Sequence, residues 1–162
     1  MKYKLKYIVG MILSVSLFAQ CWASEQLSFV GYAYEIHNND LLYSEHHELQ
    51  LDSKGNRTHG KVSYYSAQGQ LIAQKELIYG DTGYLPDFEF NDLRLSHSLK
   101  VNAKPNHVSI ENQQDQVTEV HNVDRIFDSA MIADAGFDVF MQAHWSALIK
   151  GEKKTVEFLA VT

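Results

Sequence analysis

The densest group of side chains that could bind a metal or transfer a proton is Glu45-His46-His47-Glu48. Neighbouring residues of a β-strand face opposite ways, so Glu45 and His47 share one face while His46 and Glu48 share the other. Each face then has one imidazole and one carboxylate, fewer than the three protein ligands typical of a catalytic zinc. His46 and His47 are therefore weak metal-site candidates. A hydrogen-bonded strand face is the simpler interpretation, and a metal-dependent hydrolase is the alternative.

Patterns typical of other enzymes are missing from the sequence. There is no Gly-x-Ser-x-Gly elbow and no glycine-rich phosphate loop before a helix. The single cysteine, Cys21, lies in the N-terminal leader described below. We therefore expect no cofactor, and a binding protein rather than an enzyme.

Four charged residues lie in predicted strands or beside them: Glu45, Lys75, Asp92 and Arg94. If they face the concave side of a sheet, they could anchor the polar head of a ligand. If they face outward, they are ordinary surface ion pairs that contribute about 0–1 kcal/mol each. The sequence leaves both arrangements open.

The N-terminus has the pattern of an export signal. Three lysines precede an uncharged run, Ile8 to Ala19, which is shorter than the roughly 20 residues needed to span a bilayer. Cys21-Trp22-Ala23 before Ser24 offers the small residues that a signal peptidase requires. We expect residues 1–23 to be removed, leaving no stable membrane span in a periplasmic or secreted protein. Lipidation of Cys21 is the minor alternative, disfavoured by Gln20 before it.

The charge balance narrows the class of partner. The chain has a net charge of −6, which becomes −9 when three lysines leave with the signal. An acidic protein repels phosphate backbones, so we expect no nucleic-acid partner. Residues 24–162 are enough for one domain, and we expect a single β-rich one.

Alternating apolar residues and turn-forming residues predict a series of short antiparallel strands. The predicted strands are Leu27–Ile36, Leu41–Asp52, Thr58–Ser66, Leu71–Tyr79, Asp87–Lys100, His107–Asn112 and Gln116–Val123. The stretch Asp87–Lys100 is expected to be one extended or bulged segment.

The pattern near the C-terminus changes to that of a helix. An apolar stripe with helical spacing comprises Phe137, Phe140, Met141, His144, Trp145 and Leu148. Asp134 is the expected cap and Gly151 the expected stop. The stripe is expected to pack as core, although it could instead line a pocket for an acyl chain. Thr155–Thr162 is the last predicted strand, and because the chain ends inside it we expect a truncated member of a longer family, with an edge that could pair with another chain.

Several short strings together resemble a family of small exported bacterial proteins of uncharacterised function. They are Gly31-Tyr32-Ala33-Tyr34, Leu42 to His46, Gly69 to Lys75, Pro86-Asp87-Phe88 with Asp92-Leu93-Arg94, and Ala135 to Asp138 ahead of Trp145. The general look of this family is similar to periplasmic half-barrels that carry lipids or lipoproteins. No activity accompanies the resemblance.

The sequence thus predicts a mainly β, α+β fold, in which a curved antiparallel meander or half-barrel packs on one C-terminal helix. The expected function is non-enzymatic binding of a lipid or another apolar or amphipathic molecule. The candidate ligand-binding residues are Glu45, Lys75, Asp92, Arg94 and Trp145.

Overall fold

The structure is a computed structural model that describes residues 25–80, 84–124 and 131–159. The predicted export signal, residues 1–23, lies outside these ranges.

Eight strands form one antiparallel sheet, and each strand pairs with its neighbour in the sequence. In chain order they are Glu25–Tyr34 (β1), Leu41–Leu51 (β2), Arg57–Ser66 (β3), Leu71–Ile78 (β4), Asp87–Asp92 (β5), His97–Lys104 (β6), His107–Gln114 (β7) and Val117–Asp124 (β8). The sheet is not closed into a barrel, and β1 and β8 are its edges. The predicted fold class, mainly β with an antiparallel meander and a C-terminal helix, is confirmed.

The rest of the described chain forms a small second layer. Met131–Ala133 (β9) leads into a 3-10 turn at Asp134–Gly136 and then into the helix Phe137–Leu148 (α1). The last described strand, Glu157–Leu159 (β10), returns to pair in parallel with β9.

Strand pairing separates apolar and charged residues onto two faces, because paired residues share a face and neighbours in the chain do not. The inner face has a row across six strands: Leu49, Gly60, Leu77, Phe88, Val101 and Ile110. One residue away on each strand, the outer face has Glu48, Lys61, Glu76, Glu89, Lys100 and Glu111. The apolar row requires a cover, whereas the charged row is stable in water.

The cover comes mainly from short segments before the helix. Ala135 belongs to the same buried cluster as the inner face, and Leu159 packs against it. A neighbouring cluster contains Leu85, Met131 and Ala133. These residues remove the middle of the inner face from water, where each fully buried aliphatic side chain contributes about 1.5–3 kcal/mol.

The helix contributes less core than its apolar stripe predicted. Phe140 is its one buried residue, and its ring meets the Tyr84 ring edge-on at 5.3 Å. Phe137 and Trp145 of the stripe are largely exposed. Only the side of the helix near Tyr84 therefore reaches the core.

Two predicted details of the helix have different outcomes. Asp134 is not the cap: it opens the 3-10 turn, Gly136 occupies the N-cap position, and the Asp134 carboxylate binds Lys75 on the sheet instead. Gly151 does end the helical region, because its φ of 80° is accessible to glycine and its N–H donates to the Leu148 carbonyl.

The prediction of one extended stretch at Asp87–Lys100 is wrong. It folds back as the hairpin β5–β6, with a turn at residues 93–96. The Asp92 carboxylate accepts the Arg94 backbone N–H at 2.8 Å, which favours a turn over a continued strand. Ser96 completes the reversal with a φ of 49°.

The first and the last predicted strands have different bounds in the structure. The first ends at Tyr34 rather than Ile36, because Glu35 forms two backbone hydrogen bonds across the turn that follows. The last is described as Glu157–Leu159, and residues 160–162 of the prediction lie outside the described residues. The predicted open edge is paired with β9 at Glu157–Leu159.

A substitution at Gly136 tests the packing of the cover. A Cβ at Gly136 would lie 2.1 Å from the backbone oxygen of Tyr84, whereas one at Gly80 would meet nothing within 4 Å. Gly136→Ala is therefore expected to lower the free energy of unfolding by about 1–3 kcal/mol through overpacking. Gly80→Ala is the matched control and should leave it nearly unchanged. Urea unfolding measures both, and equal stabilities would contradict the close approach.

Candidate functional site

A hollow of about 260 Å³ lies between the inner face of the sheet and the segment Asp134–Asp138. We call it the inner hollow. Its apolar lining residues are Phe29, Leu49, Val62, Leu77, Ala135 and Phe137. Its polar lining residues are Glu45, His47, Arg57, Tyr64, Lys75, Tyr79, Asp134 and Asp138. The inner hollow thus combines an apolar floor with charged side chains.

Lys75 enters the inner hollow from β4. Its ammonium lies 3.2 Å from the Asp134 carboxylate, and its side chain is 15% exposed while that of Asp134 is 80% exposed. The ammonium also lies 5.7 and 5.9 Å from the ring centres of Phe88 and Phe90, within the range of cation–π attraction. Lys75 is therefore a mostly buried cation whose carboxylate partner faces water.

Arg57 enters at the start of β3 in a similar way. Its guanidinium donates to the Asp138 carboxylate at 2.5 Å, and its side chain is 10% exposed. It also lies 5.8 Å from the centre of the Tyr79 ring. Two ion pairs therefore connect the sheet to the beginning of the helix, where carboxylates are also favoured by the helix dipole.

The electrostatics keep both cations charged. Burial lowers the pKa of Lys75, but Tyr64 and Asp134 outweigh burial, so the pKa lies above its ordinary value. Burial also opposes the charge of Arg57, and hydrogen bonds to Asp138 and Tyr79 again raise its pKa. For both Tyr64 and Tyr79, burial is the main cause of a raised pKa. At neutral pH Lys75 and Arg57 are therefore cations, and Tyr64 and Tyr79 are neutral phenols. The carboxyl side chains of Glu45, Asp134 and Asp138 line the same hollow.

Glu45 and His47 occupy the side of the inner hollow nearest to β1. The His47 ring stacks on Phe29, with ring centres 4.4 Å apart and an interplanar angle of 11°. Its Nε2 lies 3.1 Å from a Glu45 carboxylate oxygen. Glu45 and Lys75, both predicted ligand-binding residues, thus line the same hollow.

The two weak metal candidates lie on opposite faces of the sheet. His47 faces the inner hollow, whereas His46 faces outward and contacts the Tyr65 ring edge-on at 4.8 Å. No group of three or more His, Cys, Asp or Glu side chains with metal-binding geometry occurs in residues 25–80, 84–124 and 131–159. The metal-dependent hydrolase stays a prediction, and no contact described above favours it.

Asp92 and Arg94 form a separate pair at the β5–β6 turn. The Asp92 carboxylate accepts the Arg94 side chain at 2.6 and 3.1 Å as well as the Arg94 backbone N–H. Asp92 is buried, and Arg94 is more than half exposed. These hydrogen bonds stabilise the β5–β6 turn. Neither Asp92 nor Arg94 is among the residues lining the inner hollow.

Trp145 lies on the exposed side of α1. The helix instead contributes Val139, Gln142 and Ala143 to a groove of about 640 Å³, which also contains Leu27 of β1. This helix groove and the inner hollow share Arg57 and Tyr79 as lining residues. The two spaces therefore meet at these side chains.

A third hollow, of about 460 Å³, lies on the outer face. Its lining includes the charged row of that face, from Glu48 through Lys61 and Glu76 to Lys100. Its charges of both signs lie side by side across the strands, and its lining also includes the apolar residues Leu77, Phe88 and Val101.

The candidate site residues did not include five polar residues of the inner hollow: Arg57, Tyr64, Tyr79, Asp134 and Asp138. The ion pairs join positions 57 with 138 and 75 with 134, separations that no local pattern reveals. The sequence did contain one usable signal: residues two positions apart on a strand share a face, so Lys75 lies on the same face as the apolar Leu77. The acidic pair flanking Ala135-Gly136-Phe137 gave no indication of its partners.

Comparison with known proteins finds no match among protein-family models, curated proteins or solved structures. Within the described ranges, every helix is too short or too polar to cross a bilayer.

The Asp92–Arg94 pair should make the free energy of unfolding depend on pH in the acid range. Hydrogen bonding to Arg94 holds the pKa of Asp92 below its ordinary value of 3.8. A depressed pKa stabilises the fold above the ordinary value, and that stabilisation is lost as the pH falls through the lower, folded value. The free-energy difference between the wild type and Asp92→Asn is therefore expected to shrink as the pH falls below 3.8.

Urea unfolding at a series of pH values from neutral to strongly acidic measures this difference. Arg94→Gln is the companion variant: it removes the guanidinium and keeps the backbone hydrogen bond of the turn, so it should weaken the same acid dependence. Wild-type and Asp92→Asn stabilities that stay parallel across the range would refute the role of the pair.

Proposed function

We propose that this protein is a non-enzymatic binder of an apolar or amphipathic molecule, which lies between the inner face of the sheet and the first turns of α1. The observation that carries the proposal is the inner hollow, with its apolar floor and its two inward cations. Small-molecule sites typically combine apolar walls with a few polar groups in this way.

Exposed apolar side chains at the mouth of the inner hollow support the proposal. Phe29 and Phe137 line it and are each more than 40% exposed, and Leu27 in the helix groove is 46% exposed. An apolar ligand chain would remove their surface from water at about 25 cal/mol per Å². Clustered exposed apolar residues on a protein surface often mark a binding site.

Truncating the aromatic walls tests this function. Phe29→Ala and Phe137→Ala are each expected to weaken binding of dodecanol by about tenfold, because each removes an apolar contact worth 1–2 kcal/mol. Leu95→Ala, a similarly exposed residue on the β5–β6 turn, is the control and should bind like the wild type. Native mass spectrometry gives the affinities.

Backbone amide chemical shifts give the location of the bound alcohol. Perturbations should concentrate on Val62, Leu77 and Ala135. Absence of binding, or perturbations confined to the outer-face hollow, would exclude the proposed function.

We further propose that the protein acts outside the cytoplasm. The support is the lysine-rich start and the uncharged run up to Ala19, which have the layout of a secretory signal. An acidic, exported binder would meet lipids and other amphiphiles in the cell envelope.

The mass of the protein recovered from its own host tests the export. A cut after Ala23 predicts a polypeptide that begins at Ser24 and has no cysteine. An N-terminal Cys21 with attached acyl chains would instead establish the lipoprotein alternative. An intact N-terminus on all of the recovered protein would contradict both.

A further inference from the structure

We propose that the ligand is an anionic single-chain amphiphile, whose acid head binds Lys75 in place of Asp134 and whose tail lies along the apolar floor. This inference rests on the proposed function and specifies the chemistry of its ligand.

Lys75 and Asp134 are unequally buried. The Lys75 side chain is 15% exposed, so its ammonium has lost most of its hydration, whereas Asp134 is 80% exposed. A desolvated cation requires an anion beside it, but a carboxylate at the surface loses little when it returns to water. Asp134 is therefore a replaceable partner of Lys75.

The two ion pairs differ in their exposure to water. Arg57 and Asp138 are 2.5 Å apart, and Asp138 is half exposed, whereas Lys75 and Asp134 are 3.2 Å apart. The Arg57 pair is the less accessible of the two, because both of its side chains are less exposed than their counterparts. It can keep the start of α1 on the sheet while a ligand head displaces Asp134 from Lys75.

Two aromatic rings and a phenol surround the Lys75 ammonium, where the head group would bind. Phe88 and Phe90 flank the ammonium, and Tyr64 beside it has a neutral hydroxyl that can donate a hydrogen bond to an oxyanion. Charge-assisted hydrogen bonds are roughly twice as strong as neutral ones. Glu45, the other carboxylate on this side, is engaged with His47.

The apolar floor of the inner hollow offers a path for the tail. From Lys75 the floor continues over Val62, Leu49 and Leu77, all of which are buried, and reaches the helix groove at Tyr79. The inner hollow alone, at about 260 Å³, is slightly below the usual 300–1,000 Å³ of small-molecule sites, and the adjoining groove extends it. A flexible alkyl chain could lie on this apolar floor and extend past Tyr79 toward the helix groove.

Three ligands with the same chain and different heads test the charge of the head: dodecanoate, dodecanol and dodecylamine. The wild type is expected to bind dodecanoate about tenfold more tightly than dodecanol, since only the acid gains a charge-assisted contact, and to bind the amine most weakly. Dodecyl phosphate is the fourth ligand, and its affinity relative to dodecanoate shows whether the site prefers a phosphate or a carboxylate head. Native mass spectrometry of the full protein at neutral pH gives all four affinities.

Two variants make the test specific to Lys75. Lys75→Met keeps an unbranched apolar side chain, and it should remove the preference for the acid while leaving dodecanol affinity within about twofold. Asp134→Asn removes the competing carboxylate, and it should raise the affinity for dodecanoate alone. A gain of affinity cannot result from misfolding, so this variant remains informative if Lys75→Met is unstable.

The outcomes separate the inference from the function on which it rests. Equal affinity of the wild type for the acid, the alcohol and the amine would overturn the anionic-head inference while the proposed function stands. An unchanged dodecanoate affinity in Asp134→Asn would also overturn it. Failure of all four ligands to bind would remove the proposed function itself.

Discussion

The alternation of side chains across eight paired strands is the constraint on which the structure depends. Every strand of the sheet pairs with its neighbour in the sequence. The registers of these pairs align apolar residues in a row on one face and charged residues in a row on the other. A one-residue slip would exchange the faces and expose the apolar row to water. The inner face must therefore be covered, and the chain supplies the cover with only a few short segments.

The incompleteness of that cover produces the candidate site. Ala135 and Leu159 close the middle of the inner face, while the part near β1 is roofed by the Asp134–Asp138 segment and leaves a hollow. Lys75 and Arg57 point into this region and bind that segment through its carboxylates, Asp134 and Asp138. Each pair joins a mostly buried cation to an exposed or half-exposed carboxylate, and the cost of desolvating the cation offsets much of the attraction. The two ion pairs instead hold the segment Asp134–Asp138 at a fixed distance from the inner face of the sheet.

Sequence reasoning succeeded where the signal was local. Period-two alternation located six of the eight sheet strands, and the glycine at position 151 located the end of the helix. It failed at Asp87–Lys100, where the Asp92 side chain competes with strand pairing for the backbone. It also overstated the buried stripe of α1, because helical spacing shows which residues share a face and does not show how much partner surface that face meets.

The sequence by itself determined the antiparallel meander, the face shared by Glu45 and His47, and the C-terminal position of the helix. Each follows from the spacing of neighbouring residues. The tertiary structure alone decided that Lys75 meets Asp134 and that Arg57 meets Asp138, contacts between residues about 60 and 80 positions apart. It also decided that Asp92 and Arg94 belong to a turn and that Trp145 faces water. Such contacts depend on how the layers meet in space, which no local spacing encodes.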